Sequence, residues 1–165
     1  MENISIFAVG GTIDKVYFDA KSEYEVGPPN IEKVLAEFNL AIGYTITSLM
    51  RKDSLDLTDD DRARIVRAVA LAPTSRVLIT HGTDTMILTA KALRGVSGKT
   101  VVLTGALEPA LFKTSDAVFN IGCALGAVQA LPPGIYIAMN GRIFKEGTVR
   151  KNLEKNRFEE IPQDA

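Results

Sequence analysis

At 165 residues the chain has room for one domain with a three-layer core and little space for a second folding unit. Its composition, 46% hydrophobic and 24% charged, is that of a soluble globular protein, and a formal net charge of −1 gives no electrostatic ground for a nucleic-acid or anionic-membrane partner. One cysteine and one histidine exclude an internal disulfide and a zinc or iron–sulfur cluster, so a small-molecule ligand is expected, with no metal and no cofactor.

Met1-Glu2-Asn3 offers no positive n-region, and the apolar run 4–9 is too short for a signal peptide or a membrane span, so a cytoplasmic protein is expected. Residues 5–9 read as the first strand, which breaks at Gly10-Gly11-Thr12 and delivers Thr12 to its C-terminal end. Residues 14–30 are polar, carry Tyr17, Phe18 and Tyr24, and end in Gly27-Pro28-Pro29; a connection this long reads as a lid or a mobile loop. Asn30 is expected to cap a helix with Ile31, Val34, Leu35 and Phe38 on one face. A second strand over 44–50 passes into Arg51-Lys52-Asp53-Ser54-Leu55-Asp56. Thr58 then caps a helix opened by Asp59, Asp60 and Asp61, with Ala63, Val66 and Ala70 expected to face inward and Pro73 ending it.

The chain is organised around Val77-Leu78-Ile79-Thr80-His81-Gly82-Thr83-Asp84-Thr85. Its short apolar run, rich in β-branched residues, suits a strand covered on both faces, and the loop that follows is packed with hydroxyl and carboxylate groups. Asp84 has two readings there, a cap for the helix starting near Thr85 or a carboxylate of a site. His81 is expected to tie the loop down through its ring nitrogens. The next helix runs through Met86, Ile87, Ala90 and Leu93 and stops near Gly95. A fourth strand over 100–104 exits at Gly105-Ala106, a loop holding Pro109 covers 107–115, and a helix follows over 116–130. Val118, Phe119, Ile121, Leu125 and Val128 are its apolar positions, with Cys123 as a buried small hydrophobe. A fifth strand over 135–139 leads to the turn dipeptide Asn140-Gly141 and a short sixth strand over 142–145. Residues 146–165 are charged and little patterned. Nothing divides the chain, so residues 1–165 are expected to form a single domain.

Strands alternating with helices predict an α/β fold, a three-layer αβα sandwich around a mostly parallel, doubly wound, flavodoxin-like sheet. Ligands of such sheets bind outside the carboxyl ends of the strands, the edge to which Thr12, Ser54, Thr83, Asp84 and the Gly105 loop belong. The chain has no GxGxxG after its first strand, no GxxxxGK[ST] and no GxSxG, so dinucleotide, P-loop and nucleophile-elbow chemistry lack their loops. A Ser–His–Asp triad would have to use His81, two residues from Thr83 on one loop. A threonine can instead be a nucleophile when a lysine or a tyrosinate takes its proton. Lys151, in Thr148-Val149-Arg150-Lys151-Asn152, has two readings: a solvated surface residue, or a base if burial lowers its pKa, by roughly 3–5 units in fully buried lysines.

Three strings, Val9-Gly10-Gly11-Thr12-Ile13, His81-Gly82-Thr83-Asp84-Thr85 and Val102-Leu103-Thr104-Gly105-Ala106, resemble in order and spacing those of the bacterial-type L-asparaginases. These are threonine amidohydrolases that convert L-asparagine and water into L-aspartate and ammonia. The resemblance spans nearly the whole chain but only the family's N-terminal domain. It implies Thr12 as the primary nucleophile on the side-chain amide carbon and Tyr24, on a mobile lid, as proton acceptor or orienter. It implies Thr83, Asp84 and Lys151 as a second catalytic group, in which the lysine and the aspartate polarise the threonine. Gly11, Asp53, Ser54, Thr83 and Asp84 are the implied substrate contacts, Ser54 for the α-carboxylate and Asp84 for the α-ammonium, with backbone N–H groups near Thr12 and Thr83 for an oxyanion. Two departures stand out. Leu107-Glu108-Pro109 replaces the family's usual Met-Arg-Pro, and the C-terminal domain is expected to be absent, so the site is completed alone or by a second copy in a homo-oligomer, a dimer or a tetramer. Two other classes share this layout: a small amino acid binding or sensor relative that does not turn its ligand over, and a flavodoxin-like cofactor or signalling module, which would not need Thr12 and Thr83 to face each other.

Overall fold

The computed structural model describes residues 3–162. In chain order the strands are β1 (Ile4–Gly10), β2 (Lys15–Phe18), β3 (Glu23–Val26), β4 (Tyr44–Lys52), β5 (Arg76–Thr80), β6 (Thr100–Thr104), β7 (Gly134–Met139), β8 (Arg142–Lys145), β9 (Val149–Asn152) and β10 (Arg157–Glu160). The α-helices are α1 (Ile31–Ala36), α2 (Asp59–Leu71), α3 (Met86–Ala92) and α4 (Ala117–Ala130). A six-stranded sheet in the order β4-β1-β5-β6-β7-β8 forms the middle layer; its strands are parallel except β8, which runs antiparallel to β7 along one edge.

Alternation along the central strands builds two cores. Phe7, Val9, Val77, Ile79, Val101, Leu103, Ile135 and Ile137 face a cluster with Ile65 and Val69 of α2 and Met86 and Ala90 of α3. Ile4, Ile6, Leu78, Val102, Tyr136 and Ala138 face the other way, onto Ile31, Val34 and Leu35 of α1 and Ile121, Ala124 and Val128 of α4. Because side chains alternate across a strand, a continuous apolar run is what a strand covered on both sides requires. Helices on both faces make the three-layer α/β sandwich expected from the alternating elements. β1 passes through α1 to β4 on one side of itself, and the chain then crosses to β5 on the other side. The strand order therefore reverses between β1 and β5, and the crevice at their carboxyl ends is where such sheets take ligands.

Several expectations are corrected. Residues 15–26 are not an irregular loop: β2 and β3 pair as an antiparallel hairpin, with Tyr17 opposite Tyr24. The charged tail likewise folds, as β9 paired with β10 and pinned by Phe158 N–H donating to Asn140 Oδ1 at 2.7 Å. Asn30 does not cap α1 through its side chain; its backbone N–H donates to Asp14 Oδ1 at 2.8 Å. Thr58 does cap α2, in a reciprocal pair with Asp61, but that helix turns Ile65 and Val69 inward and leaves Ala63 and Ala70 exposed. Asp61 bonds to the cap and to Lys52, and Arg62 to Leu57 O, so this helix start buries charge that the apolar pattern does not register. In α4, Ile121, Leu125 and Val128 are buried, whereas Val118 and Phe119 remain 45% and 64% exposed and Cys123 is only half-buried. Phe38 lies beyond α1 and is exposed.

Candidate active site

The two chain exits at the strand-order reversal touch backbone to backbone. β1 ends at Gly10 and is followed by Gly11, with φ of 112° and 87°, in the half of conformational space that side chains disfavour. A Cβ on Gly11 would stand 2.3 Å from Cα of Gly82, so no side chain fits between the loop after β1 and the loop after β5. A Cβ on Gly82 would in turn stand 2.6 Å from that of Ser54. The exits of β1, β4 and β5 thus close on Gly82, and Thr12, Ser54 and Thr83 leave from adjoining backbone. Among the described residues neither the Thr12 nor the Thr83 backbone N–H donates to another group of the chain.

Thr83 is buried and is the centre of the polar contacts. Lys151 Nζ donates to Thr83 Oγ1 at 3.0 Å and to Asp84 Oδ1 at 2.8 Å. The Lys151 side chain is 13% exposed and that of Asp84 43% exposed, so the carboxylate opens toward solvent while the amine is enclosed. Lys151 gets there because β9 and β10 form a hairpin: Lys151 stands opposite Phe158, which is buried in the core together with Val149. On the outer side Glu159 accepts from Asn152 at 2.9 Å and Arg150 at 2.7 Å, bonds that pull its carboxyl pKa down to about 2. Accepting the lysine bond leaves the Thr83 hydroxyl its own hydrogen to donate to a third group. Asp84 does not cap α3, where Thr85 occupies that position and makes no side-chain cap bond.

His81 is fully buried. Its Nδ1 lies 2.6 Å from Gly82 O and its Nε2 2.7 Å from Thr89 Oγ1. A carbonyl only accepts, so Nδ1 carries the proton and Nε2 accepts from the threonine hydroxyl. Burial pulls the imidazole pKa down to about 4, the Gly82 bond only partly opposing it. A neutral ring with both nitrogens engaged holds the loop in place, as expected of it.

Ser54, 1% exposed, joins two loops: its Oγ accepts from Thr85 N at 3.3 Å and its carbonyl from Thr85 Oγ1 at 2.7 Å. Asp53 is committed to its surroundings, one oxygen accepting from Leu55 N at 3.0 Å and the other 3.4 Å from Lys15 Nζ. Tyr24 lies on β3. Its ring packs edge-on against Tyr17 and Phe112, with centroids 5.3 and 5.6 Å away, and among the described residues its hydroxyl makes no hydrogen bond. Between the hairpin and the exit of β4 lies an open cleft of about 550 Å³ whose lining includes Lys15, Tyr24, Arg51 and Asp53. A larger groove of about 720 Å³ between α2 and α3 is lined by none of the site residues expected from the sequence.

The Leu107-Glu108-Pro109 segment is held without a positive charge. The Asp116 carboxylate accepts from Leu107 N at 3.0 Å and Glu108 N at 3.2 Å, and Glu108 accepts from the Thr114 hydroxyl at 2.8 Å. Ala110 N then donates to Ile13 O at 3.1 Å, which joins this loop to the turn of Thr12. Sequence reasoning missed Asp14. It is 1% exposed, and burial raises its carboxyl pKa to about 7 against the opposing Asn30 N–H bond and the Arg51 charge. The available signal was a carboxylate placed directly after an apolar strand exit.

A family model described as "Asparaginase, N-terminal" matches residues 3–161. The chain is 35% identical over 120 residues to an L-asparaginase of Thermococcus kodakarensis, covering 68% of this chain and 37% of that protein. It is 29% identical over 162 residues to a Haemophilus influenzae protein described as "Probable L-asparaginase periplasmic", covering 92% and 46%. One component of the glutamyl-tRNA(Gln) amidotransferase of Methanococcus vannielii is 28% identical over 151 residues, covering 87% and 35%. The solved structure of the thermostable L-asparaginase from Thermococcus kodakarensis superposes with a TM-score of 0.83 at 27% identity, covering 98% of this chain and 52% of that one. The chain thus spans about half the length of the relatives it matches, or less. Among the described residues no helix is long and apolar enough to cross a membrane.

Proposed function

The chain belongs to the asparaginase family, whose N-terminal domain it matches over residues 3–161, and from that premise we propose that it is an amidohydrolase converting L-asparagine and water into L-aspartate and ammonia. The observation that carries this reading is the bonding of Lys151 to both Thr83 and Asp84 at a point where the Thr83 loop abuts the Thr12 loop through Gly11 and Gly82. A hydrolase working through threonine needs a hydroxyl to attack and a second polar group to steer proton and water, and those residues supply both.

In this reading the Thr12 oxygen bonds to the side-chain amide carbon, the C–N bond breaks, and ammonia leaves with the proton from the hydroxyl. Water then attacks the resulting ester, L-aspartate leaves, and Thr12 recovers its hydrogen. Lys151 and Asp84 polarise Thr83, whose hydroxyl orients that water. Asp84 takes the substrate α-ammonium and Ser54 its α-carboxylate, with Gly11 and Asp53 shaping the wall beside them. The oxyanion is met by the Thr12 and Thr83 backbone N–H groups, donors whose loss costs about 3 kcal/mol in comparable sites. Tyr24 orients the Thr12 hydroxyl when its hairpin swings from Phe112 toward the threonines. A second copy of the chain would complete the open side of the site in a homo-oligomer.

That the Tyr24 ring packs on Tyr17 and Phe112, with no hydrogen bond from its hydroxyl among the described residues, favours a second reading, in which the same pocket binds a small amino acid without turning it over. Ammonia release from L-asparagine by the parent protein, beside Thr12→Ala and Thr83→Ala variants shown to be folded, separates the two. Turnover lost in both variants supports the hydrolase. A parent without turnover whose melting temperature rises with L-asparagine supports the binder.

A further inference from the structure

Asp14 lies two residues past Thr12 and is buried, yet the chemistry above gives it nothing to do. Its bonds all concern one place. Its N–H donates to Gly11 O at 3.1 Å and closes the turn of Thr12, its carbonyl accepts from Gly27 N at 2.8 Å, and its Oδ1 accepts from Asn30 N at 2.8 Å. The hairpin of β2 and β3 occupies the residues between, so Asp14 grips the returning strand at its foot. That hairpin is a two-stranded sheet separate from the main one. Its contacts with the body include the Lys15–Asp53 ion pair, the Tyr24–Phe112 edge contact and Val26 beside Gly10, and Tyr17, Phe18 and Tyr24 are nearly half exposed. At the foot itself, Asn30 Nδ2 is buried without a partner among the described residues. Of the charged groups around the carboxyl, Arg51 of β4 favours its ionised form, whereas Lys15 is engaged with Asp53 and Lys52 with Asp61.

We propose that Asp14 is a positioning residue that latches the foot of the Tyr24 hairpin to the turn carrying Thr12 and so sets how the hairpin seats on the site; this rests on the assignment of Thr12 and Tyr24 to one active site. Burial, outweighing Asn30 and Arg51, holds the carboxyl at about 7. Opening the foot returns it to water, where an aspartate is ionised above about pH 4. Closure therefore retains a proton that opening releases, and the closed-to-open ratio falls about tenfold per pH unit between pH 4 and 7, levelling off above 7 where both forms are ionised.

Hydrogen exchange on the whole chain without substrate, read at the Gly27 and Asn30 amides and corrected for intrinsic rates, tests this. In the parent, protection should fall about tenfold between pH 5.5 and pH 6.5. Asp14→Asn keeps an acceptor for Asn30 N–H but does not titrate, and its protection should not change over that range. Asp14→Ala should lose at least tenfold at both pH values. Parental protection in Asp14→Ala, or the parental pH dependence in Asp14→Asn, would overturn the proposal; if the alanine variant does not fold, the asparagine comparison decides. In ammonia release from L-asparagine, Asp14→Asn should flatten the pH dependence of KM while kcat is retained. Absence of turnover in the parent would count against the hydrolase reading and leave the exchange result to judge the latch.

Discussion

Replacing Gly11 by alanine should damage fold and site together, because the same contact serves both. Gly11 has φ 87° and ψ −174°, a combination essentially reserved for glycine, and forcing a side chain into it costs about 1–3 kcal/mol. The added Cβ would also meet Gly82 backbone at 2.3 Å, where no flexible side chain can give way, and overpacking of this kind costs about 1–3 kcal/mol more. The total, about 2–6 kcal/mol, is a large part of an ordinary domain's 5–15 kcal/mol. At about 2–4 °C per kcal/mol for a chain of this size, Tm should fall by roughly 5–20 °C. Relief requires the two loops to part from 2.3 Å to the 3.4 Å of ordinary contact. That separates Thr12 from Thr83 by about 1 Å, a misplacement that can cost about 100-fold in rate. Thermal melts and ammonia release at a temperature where the variant is folded would measure both losses. Gly126→Ala is the control: its Cβ would meet nothing within 4 Å, and alanine there should stabilise α4 by about 0.5–1 kcal/mol. A Gly11→Ala protein with parental Tm and kcat/KM would refute the reasoning.

Lys151→Met keeps much of the side-chain volume but removes both polar contacts, so kcat for ammonia release should fall by about 100-fold or more while circular dichroism stays parental. Thr58→Ala removes the α2 cap and should lower stability by about 1 kcal/mol in urea melts, leaving turnover unchanged because none of the assigned catalytic groups is touched. Asp14 and His81 give opposite pH slopes. Between about pH 4 and 6.5 the folded chain keeps a proton on Asp14 that the unfolded chain has released, so this group's stabilisation is lost as pH rises toward 7. Over the same range folded His81 lacks a proton that the unfolded chain binds, so its contribution is lost as pH falls toward 4. Each slope is about 1.4 kcal/mol per pH unit, and in the parent the two cancel. Asp14→Asn should expose the histidine slope, a loss of about 2 kcal/mol from pH 6.5 to 4.5. Urea melts of parent and variant that run parallel over that range would contradict this.

The central strands were legible because burial on both faces demands continuous apolar runs, and β1, β5, β6 and β7 have them. The two peripheral hairpins were not. β9 and β10 send only Val149 and Phe158 into the core and are otherwise held by pairs such as Arg150 with Glu159, so neither strand has an apolar period to read. In α2, Arg62 is buried and donates to Leu57 O, so apolar positions alone do not mark the inward face: Val66 packs against the core as expected, but Ala63 and Ala70 are exposed. At the site, the spacing of the strand exits was enough to gather Thr12, Ser54 and Thr83 at one edge, since a parallel sheet brings its carboxyl ends together. Lys151 lies 68 residues from Thr83 and reaches it only because the tail folds, so residue type alone favoured a surface lysine and only the resemblance gave it a role. Asp14 was passed over because the value of a buried carboxyl depends on Asn30 and Gly27, partners set by the closing of a hairpin.

The threonine ester is the central claim, and trapping it is the most direct test. Thr83→Ala and Lys151→Met proteins, in which water attack is slowed, would be mixed with L-asparagine, quenched in acid, digested and mapped by mass spectrometry beside Thr12→Ala. An aspartyl ester on Thr12 is predicted, accompanied by ammonia and absent from the Thr12→Ala protein. Ammonia released with Thr12 unmodified and the ester on another residue, or undiminished turnover by Thr12→Ala, would contradict it.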